Sequence, residues 1–174
     1  MPQIAPVDPA RTPSAFKRVA VSIALSRPGT SFYMHVASRI DPWLIRATKG
    51  RVDSAVGIVP IVLLTTRGAR SGLERTVPLL YFTDGDDIVL IASSFGRPRY
   101  PAWYHNLKAN PEVTVCRRGH RGRYVAREVD GAEHDRLYAQ AARLYRGYRI
   151  YESRVAGIRH VPVLRLSAAP STVG

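Results

Sequence analysis

The first stretch with residues suited to chemistry is a basic turn, Arg67-Gly68-Ala69-Arg70-Ser71-Gly72, followed by Arg75. Its glycines let a ligand approach the backbone, Ser71 can donate a hydrogen bond, and the arginines offer forked donors that match phosphate or carboxylate. The turn lacks both the Gly-Lys-Ser/Thr end of a Walker loop and the GxGxxG of a Rossmann turn. It is interpreted either as an anion-binding site or as a solvated basic turn.

A second candidate stretch, Ser93-Ser94-Phe95-Gly96, follows a predicted strand and precedes Pro101, where a helix is expected to begin. Hydroxyls, a glycine and the amides of a helix start suit a planar ring with polar edges or an anionic group. Trp103, on that helix, is predicted to be a core residue more readily than a ligand platform. The serines have no His or acid placed to activate them, which disfavours hydrolase chemistry.

Tyr145, Tyr148 and Tyr151 recur at intervals of three in an arginine-rich segment. On a helix this spacing puts them along one side, where they either line an aromatic pocket, with one donating a proton, or pack with their hydroxyls at the surface. The histidines form no pair at metal-ligand spacing, so no metal site is predicted.

The charge balance restricts the partners without choosing among them. The chain has 26 Lys and Arg against 13 Asp and Glu, a formal net charge of +13. Such a charge attracts anions, so nucleic acid, acidic phospholipid and a phosphorylated cofactor all remain open. The single cysteine, Cys116, cannot form an internal disulfide and predicts a reducing, cytoplasmic setting, with the thiol as a small buried residue. The longest apolar run, 58–64, is far short of the roughly 20 residues that a membrane-spanning helix needs.

The 174 residues, 45% of them hydrophobic, suit one domain with a real core. Prolines in 1–13 predict a disordered leader. Helical patterns over 14–50 predict an amino-terminal segment that either packs on the domain or lies on a membrane surface beside anionic lipids. Residues 51–168 are predicted to form the main domain, and 169–174 a loose tail.

The periodicity of the main domain predicts an α+β fold or a barrel, with about six mostly antiparallel strands and three or four helices. Strands are expected over 61–66, 75–82, 88–92, 112–117, 121–129 and 161–166, and helices from Pro101 to Asn110 and over 132–146. The first strand is apolar on both faces and is expected to be fully buried. Asp84-Gly85 predicts a tight hairpin, and Pro78 predicts a bulge, an edge or a gap that faces a ligand.

Five motifs resemble those of the deazaflavin-dependent nitroreductase family: LLTTRGARSGLERTVPL, the DGD turn, IASS, PAWYHNLKANPEVTV and LYRGYRIYESRVAGIRHVPVLRL. The resemblance covers residues 59–166. It implies a split β-barrel oxidoreductase that uses coenzyme F-420, an 8-hydroxy-5-deazaflavin with a phosphate and an oligoglutamate tail. The implied reaction is hydride transfer from the reduced deazaflavin to an electron-poor acceptor, such as a quinone or a nitroaromatic.

The resemblance also implies roles for individual residues. The positions that it assigns to coenzyme binding are Arg70, Ser71, Gly72, Arg75, Leu79, Ala92, Ser93, Ser94, Pro101, Ala102 and Trp103. Those that it assigns to the substrate pocket are Tyr145, Tyr148, Tyr151 and Leu80. Tyr148 and Ser93 are the candidates that polarise the acceptor or supply a proton. Ala69, Ser94 and Leu80 depart from residues that are common in the family.

Three alternatives accompany this interpretation. A split barrel can bind flavin mononucleotide (FMN) instead, and the basic surface allows a non-catalytic protein that binds an anionic ligand or nucleic acid, although no nucleic-acid recognition motif is present. The amino-terminal helix allows peripheral contact with the inner face of the cell membrane. Both a monomer and a homodimer remain open.

Overall fold

The computed structural model describes residues 6–7 and 60–170. In this part of the chain, an antiparallel barrel closes in the strand order β1-β2-β3-β6-β5-β4. The strands are β1 (Ile61–Arg67), β2 (Glu74–Asp84), β3 (Asp87–Ile91), β4 (Glu112–Arg117), β5 (His120–Val129) and β6 (Val163–Ala168), and the helices are α1 (Ala102–Ala109), α2 (Gly131–Leu144) and α3 (Gly147–Val155). The expected α+β split barrel is confirmed.

Side chains of β1 alternate between the barrel interior and its outer surface. Val62 and Leu64 are fully buried, whereas Ile61 and Leu63 are half-buried. The expectation that both faces of this strand are fully buried is therefore wrong. A barrel strand buries its inward face completely, and burial of the outward face depends on what packs against it there.

The predicted hairpin between β2 and β3 is confirmed, with Asp84 paired to Asp87. Pro78 lies opposite Leu63 in the pairing of β1 with β2. The Tyr81 amide donates to the Pro60 carbonyl, so the alternation of antiparallel bonds turns the Pro78 nitrogen away from β1. Because β3 pairs only with residues 81–84 of β2, Pro78 occupies an edge, one of its three predicted settings.

Two apolar clusters hold the fold together. The inner core fills the barrel, and its largest members include Leu64, Tyr81, Leu90, Trp103 and Leu164. The outer core lies between the barrel wall and the helices α2 and α3, and it includes Phe82, Val89, Leu137, Tyr148 and Tyr151. Helices α2 and α3 are amphipathic, and each buries one face in the outer core.

The strand pairing brings the candidate segments to one end of the barrel, here called the site end. The turn 68–73 follows β1 at this end, and β3 returns to it after the hairpin at the opposite end. Ile91 and Val129 both pair with Val163, so β5 ends and β6 begins there as well. The segment 92–101 therefore leaves the barrel on the same side as the basic turn.

A charged network fastens α2 to the hairpin. Arg136 donates to both carboxylate oxygens of Asp84, at 2.8 and 2.9 Å, and Arg165 of β6 also pairs with Asp84. The hydrogen bond from Arg136 holds the pKa of Asp84 below its ordinary value, against the opposing effect of burial. The network lies away from the site end and stabilises the wall that the outer core packs on.

Val7 belongs to the segment predicted as a leader, and it contacts the barrel. Its amide donates to Thr83 Oγ1 at 3.0 Å, and its carbonyl accepts from the Thr83 amide at 3.1 Å. Pro6 is the other described residue of the predicted leader. The rest of the leader, the predicted amino-terminal helical segment, residues 51–59 of the predicted main domain and residues 171–174 lie outside the described residues. Among the helices that are described, none is long and apolar enough to cross a membrane.

Candidate active site

The basic turn is closed by its own backbone. The Gly68 amide donates to the Leu73 carbonyl at 2.9 Å, and the Gly72 amide donates to the Gly68 carbonyl at 2.9 Å. A Cβ atom on Gly68 would lie 2.6 Å from Ser71 Oγ and 3.2 Å from the Leu73 carbonyl oxygen. A larger residue at this position would displace Ser71 Oγ and crowd the Leu73 carbonyl, so glycine favours the tight turn.

The arginines of this turn are open to solvent. Arg70 and Arg75 are both exposed, and the hydrogen bond formed by the Arg75 side chain joins Nη1 to the Glu74 carbonyl at 3.3 Å. Neither arginine has an acidic partner within the described part of the chain. Their guanidinium groups can therefore bind an anion without first giving up an ion pair.

Asn106 of α1 fixes the basic turn from beneath, a role that the sequence did not reveal. Its Nδ2 donates to Thr66 Oγ1 at 3.0 Å, and its Oδ1 accepts from the Ala69 amide at 3.0 Å. Both Asn106 and Thr66 are buried. The available signal was an asparagine on the same helix face as the buried Trp103 and Leu107, since a polar side chain on a core face needs partners.

Residues 93–97 form a tight turn, here called the serine turn, which contains the 3-10 segment Ser94–Gly96. Ser94, Phe95 and Gly96 have φ values of +49°, +56° and +74°. The Gly96 amide donates to the Ser93 carbonyl at 3.0 Å, and the Arg97 amide donates to the Ser94 carbonyl at 3.1 Å. Left-handed backbone is costly for Ser94 and Phe95, so the surrounding structure must impose it.

The serine turn rests on α3. A Cβ atom on Gly96 would lie 3.0 Å from the Tyr151 Cα and 2.9 Å from the Arg154 Cδ, so the turn approaches the helix as closely as only glycine permits. The Phe95 ring meets the Tyr151 ring edge to face, with 5.8 Å between centroids. The fold thus joins the predicted ring-binding segment to the tyrosines.

The tyrosines cluster as their spacing predicted, although Tyr145 lies between α2 and α3 rather than within a helix. The Tyr145 and Tyr151 hydroxyls are 3.1 Å apart, and the Tyr145 and Tyr148 rings meet edge to face at 5.4 Å. Tyr148 is buried, and that burial raises the pKa of its phenol well above the usual range. Its hydroxyl has no hydrogen-bond partner among the described residues. Tyr148 is therefore a neutral phenol with a proton to donate.

The other positions predicted to bind coenzyme or substrate differ in how far their side chains are buried. Leu80 packs on the outer core beside the tyrosines, whereas Leu79 packs on the inner core. Ala92 is fully buried, and its amide and carbonyl are bonded elsewhere in the protein, so it keeps no polar group for a ligand. Trp103 is also buried, as a core residue would be. Ser93, Ser94 and Pro101 are half-buried, Ala102 is exposed, and Cys116, expected to be buried, is only half-buried.

A chain of polar contacts at the site end was also missed. The Tyr100 hydroxyl lies 3.1 Å from His160 Nδ1, and His160 Nε2 lies 3.2 Å from Glu128, which accepts from Lys108 and Tyr104. These hydrogen bonds outweigh burial and lower the pKa of Glu128. Three of these residues, Lys108, Glu128 and His160, border a cleft of about 450 Å³. No group of His, Cys, Asp and Glu in the described ranges could hold a metal ion.

A closed antiparallel barrel with the basic turn, the serine turn and the tyrosine cluster at one end is the architecture of a split-barrel, cofactor-dependent oxidoreductase. The sequence profile described as F420H(2)-dependent quinone reductase matches residues 37–167. The chain belongs to this family, and the expected deazaflavin-dependent class is confirmed.

Individual relatives agree with this assignment. The chain is 37% identical over 135 residues to "F420H(2)-dependent quinone reductase Rv1261c" of Mycobacterium tuberculosis, which covers 74% of this chain and 88% of that protein. The solved structure of an F420-H2 dependent reductase (FDR-A) is 37% identical, with a TM-score of 0.57, and covers 62% of this chain and 94% of that one. Another solved structure, described as a domain-swapped dimer, is 32% identical, with a TM-score of 0.58. The match covers 74% of this chain and 97% of that one.

Replacing Asn106 with alanine should loosen the basic turn. The change removes two hydrogen bonds and leaves Thr66 Oγ1 and the Ala69 amide without that partner, which costs about 1–3 kcal/mol of unfolding free energy. Asn110→Ala is the matched control, because Asn110 makes one longer bond, 3.4 Å to the Arg67 carbonyl. Urea unfolding measures both variants. Equal losses would contradict the role assigned to Asn106.

Proposed function

We propose that this protein is an F-420-dependent quinone reductase whose active site is the site end of the barrel. The observation that carries the proposal is the convergence there of the basic turn, the serine turn and the tyrosine cluster, which α1 and α3 hold together. Each supplies a different property: cationic donors, small polar groups beside a strained backbone, and a neutral buried phenol. A phosphorylated, ring-bearing coenzyme and a second planar molecule need all of these together.

The donor set of the basic turn fits the coenzyme's anionic part. Arg70 and Arg75 carry guanidinium groups without acidic partners among the described residues, and Ser71 adds a hydroxyl. Gly68 keeps the turn tight, because a Cβ there would crowd Ser71 Oγ and the Leu73 carbonyl. We assign the phosphate and the oligoglutamate tail to this turn, with Gly72 supplying the chain reversal. The net charge of +13 favours approach of such a polyanion.

The serine turn and the start of α1 suit the deazaflavin ring. Ser93 and Ser94 are half-buried, and neither hydroxyl is bonded to another described residue, so both are free to meet the polar edge of a ring. Pro101 and Ala102 offer small surfaces at the start of the helix. Trp103 and Ala92 are both buried, so they would support the residues that contact the ring rather than make polar contacts with it.

When bound, the reduced deazaflavin supplies a hydride, because it lacks the ring nitrogen that stabilises one-electron states in flavins. The protein's task is to orient the acceptor and exclude water from it. We assign Tyr148 the role of donating a hydrogen bond, and finally a proton, to the acceptor oxygen. The raised pKa of Tyr148 keeps its phenol protonated in the resting site. The phenolate left after the proton transfer would take a proton back from solvent before the next turnover. Ser93 is the second candidate for this role.

The acceptor class follows from the family and the lining of the site. A quinone would pack against the tyrosine cluster, whose Tyr145 and Tyr151 rings contact each other, and Leu80 would add an apolar surface of the outer core. Nitroaromatics are electron-poor planar molecules of the same kind, and we propose them as secondary acceptors. We also propose a cytoplasmic location, with peripheral contact of the predicted amino-terminal helix at the membrane in which quinones dissolve. A relative described as a domain-swapped dimer favours a homodimer over a monomer.

Titration of the protein with F-420, followed by the coenzyme's fluorescence, tests the anion site. Arg70→Ala and Arg75→Ala should each weaken binding by roughly tenfold or more, since each removes a charge-assisted contact. The same variants should leave binding of the bare deazaflavin ring, without phosphate and tail, unchanged. Arg121→Ala is the matched control, because it removes the same charge at the opposite end of the barrel.

The competing outcomes are distinct. Equal weakening by Arg121→Ala would mean that net charge, not the basic turn, binds the coenzyme. Tight binding of FMN with none of F-420 would overturn the cofactor assignment.

Tyr148→Phe tests the proton donor. Removing the hydroxyl should lower kcat for a soluble quinone by roughly 100-fold while F-420 affinity stays the same, since general acid catalysis is lost and the ring still packs. Tyr145→Phe is the comparison, because the Tyr145 hydroxyl is already paired with Tyr151. An unchanged turnover in Tyr148→Phe would remove this residue from the mechanism and leave Ser93 as the donor.

A further inference from the structure

Arg159 binds the serine turn through several backbone carbonyls at once. Its Nη2 donates to the Ser93 carbonyl at 2.8 Å, and its Nε donates to the Arg97 carbonyl at 3.0 Å. Its Nη1 reaches the His160 carbonyl at 2.9 Å and the Ala92 carbonyl at 3.4 Å. A single guanidinium thus spans the serine turn from the residue before it to its last residue.

This guanidinium is held by carbonyls and a ring rather than by an acid. It lies over the Tyr100 ring, 4.7 Å from the centroid, and within the described part of the chain it pairs with no carboxylate. Partial burial lowers the pKa of Arg159, although the group stays a cation at any physiological pH. A half-buried cation without an acidic partner is costly unless its donors are satisfied, and here the carbonyls around the serine turn satisfy them.

What Arg159 holds is a strained conformation. Ser94 and Phe95 have left-handed backbone, which only glycine adopts at little cost. The carbonyls that Arg159 binds, those of Ser93 and Arg97, flank these residues on either side. Arg154 adds a longer bond, 3.4 Å, to the Phe95 carbonyl. A turn fixed at both flanks cannot relax by rotating one peptide.

We propose that Arg159 is a positioning residue for the coenzyme ring. It holds the serine turn left-handed, and so fixes where the Ser93 and Ser94 hydroxyls meet the ring and how the ring faces the tyrosines of α3. The inference rests on the proposed function, because it assumes that this turn contacts the ring. Arg159 itself need not touch coenzyme or acceptor.

Amide hydrogen exchange tests the hold on the turn without any coenzyme. In Arg159→Met, which keeps a long apolar stem and removes the donors, the Gly96 and Arg97 amides should exchange roughly tenfold faster or more, because their local hydrogen bonds open. Strand amides of the barrel should be unchanged. Arg159→Lys keeps the charge but not the fork and should give an intermediate loss. Arg143→Met, an exposed arginine at the end of α2, is the matched control.

Coenzyme binding separates positioning from general stability. Arg159→Met should weaken F-420 and the bare deazaflavin ring by the same factor, roughly tenfold. By contrast, Arg70→Ala should affect only the tailed coenzyme. The absorption spectrum of the bound ring should also shift toward that of the free coenzyme, which a loss of global stability alone would not cause.

A comparison of glycine with alanine at position 95 tests the strain directly. Phe95→Ala and Phe95→Gly both remove the ring, but only glycine adopts the left-handed backbone freely. In the Arg159→Met background, glycine should therefore bind the ring more tightly than alanine by up to about fivefold to thirtyfold. With Arg159 present the two should differ less, because the arginine already imposes the conformation.

Two results of the exchange experiment would overturn the proposal. One is unchanged exchange of the Gly96 and Arg97 amides in both Arg159 variants. The other is an equal increase in exchange at all barrel amides, with no additional increase in the serine turn. Faster exchange of the turn with unchanged ring affinity also overturns it, because the turn would then not position the ring. Failure of the parent protein to bind either form of the coenzyme refutes the proposed function instead, and with it the role of Arg159.

Discussion

Antiparallel closure of the barrel is the constraint on which the site depends. Because neighbouring strands alternate in direction, the turn after β1 and the segment after β3 must emerge at the same end, although about 20 residues separate them. Pairing of β1 with β4 then closes the sheet and removes free edges from most strands. The candidate active-site segments emerge at the same end because of this geometry, before any side chain between them makes a contact.

Closure brings the segments together, and buried polar side chains set their shape. Asn106 binds the basic turn from α1, and Arg159 binds the serine turn from the segment before β6. Each satisfies backbone or hydroxyl groups that would otherwise be costly to bury. The arginines and serines proposed to meet the coenzyme are exposed or half-buried, whereas Asn106 and Arg159 make the hydrogen bonds that fix the two turns.

Local signals predicted what lies close in sequence. The alternating strands, the Asp84-Gly85 hairpin and the helix after Pro101 follow from turn chemistry and periodicity, and the boundaries differ from the structure by a few residues. Asn106 and Arg159 were missed because their partners lie 37 to 67 residues away, apart from the neighbouring His160 carbonyl. The half-buried outer face of β1 was missed for a related reason, since apolar composition does not reveal which neighbours cover a strand.

The central claim is that the coenzyme binds at the site end, across the basic turn and the serine turn together. The most direct test is a two-dimensional NMR titration of the labelled protein with oxidised F-420. If the coenzyme binds across both turns, the amide signals of 68–73 and 93–97 will shift together along one saturation curve, while those of the opposite turns, 84–87 and 117–121, stay in place. Shifts confined to the opposite turns, or absent from the serine turn, would contradict it.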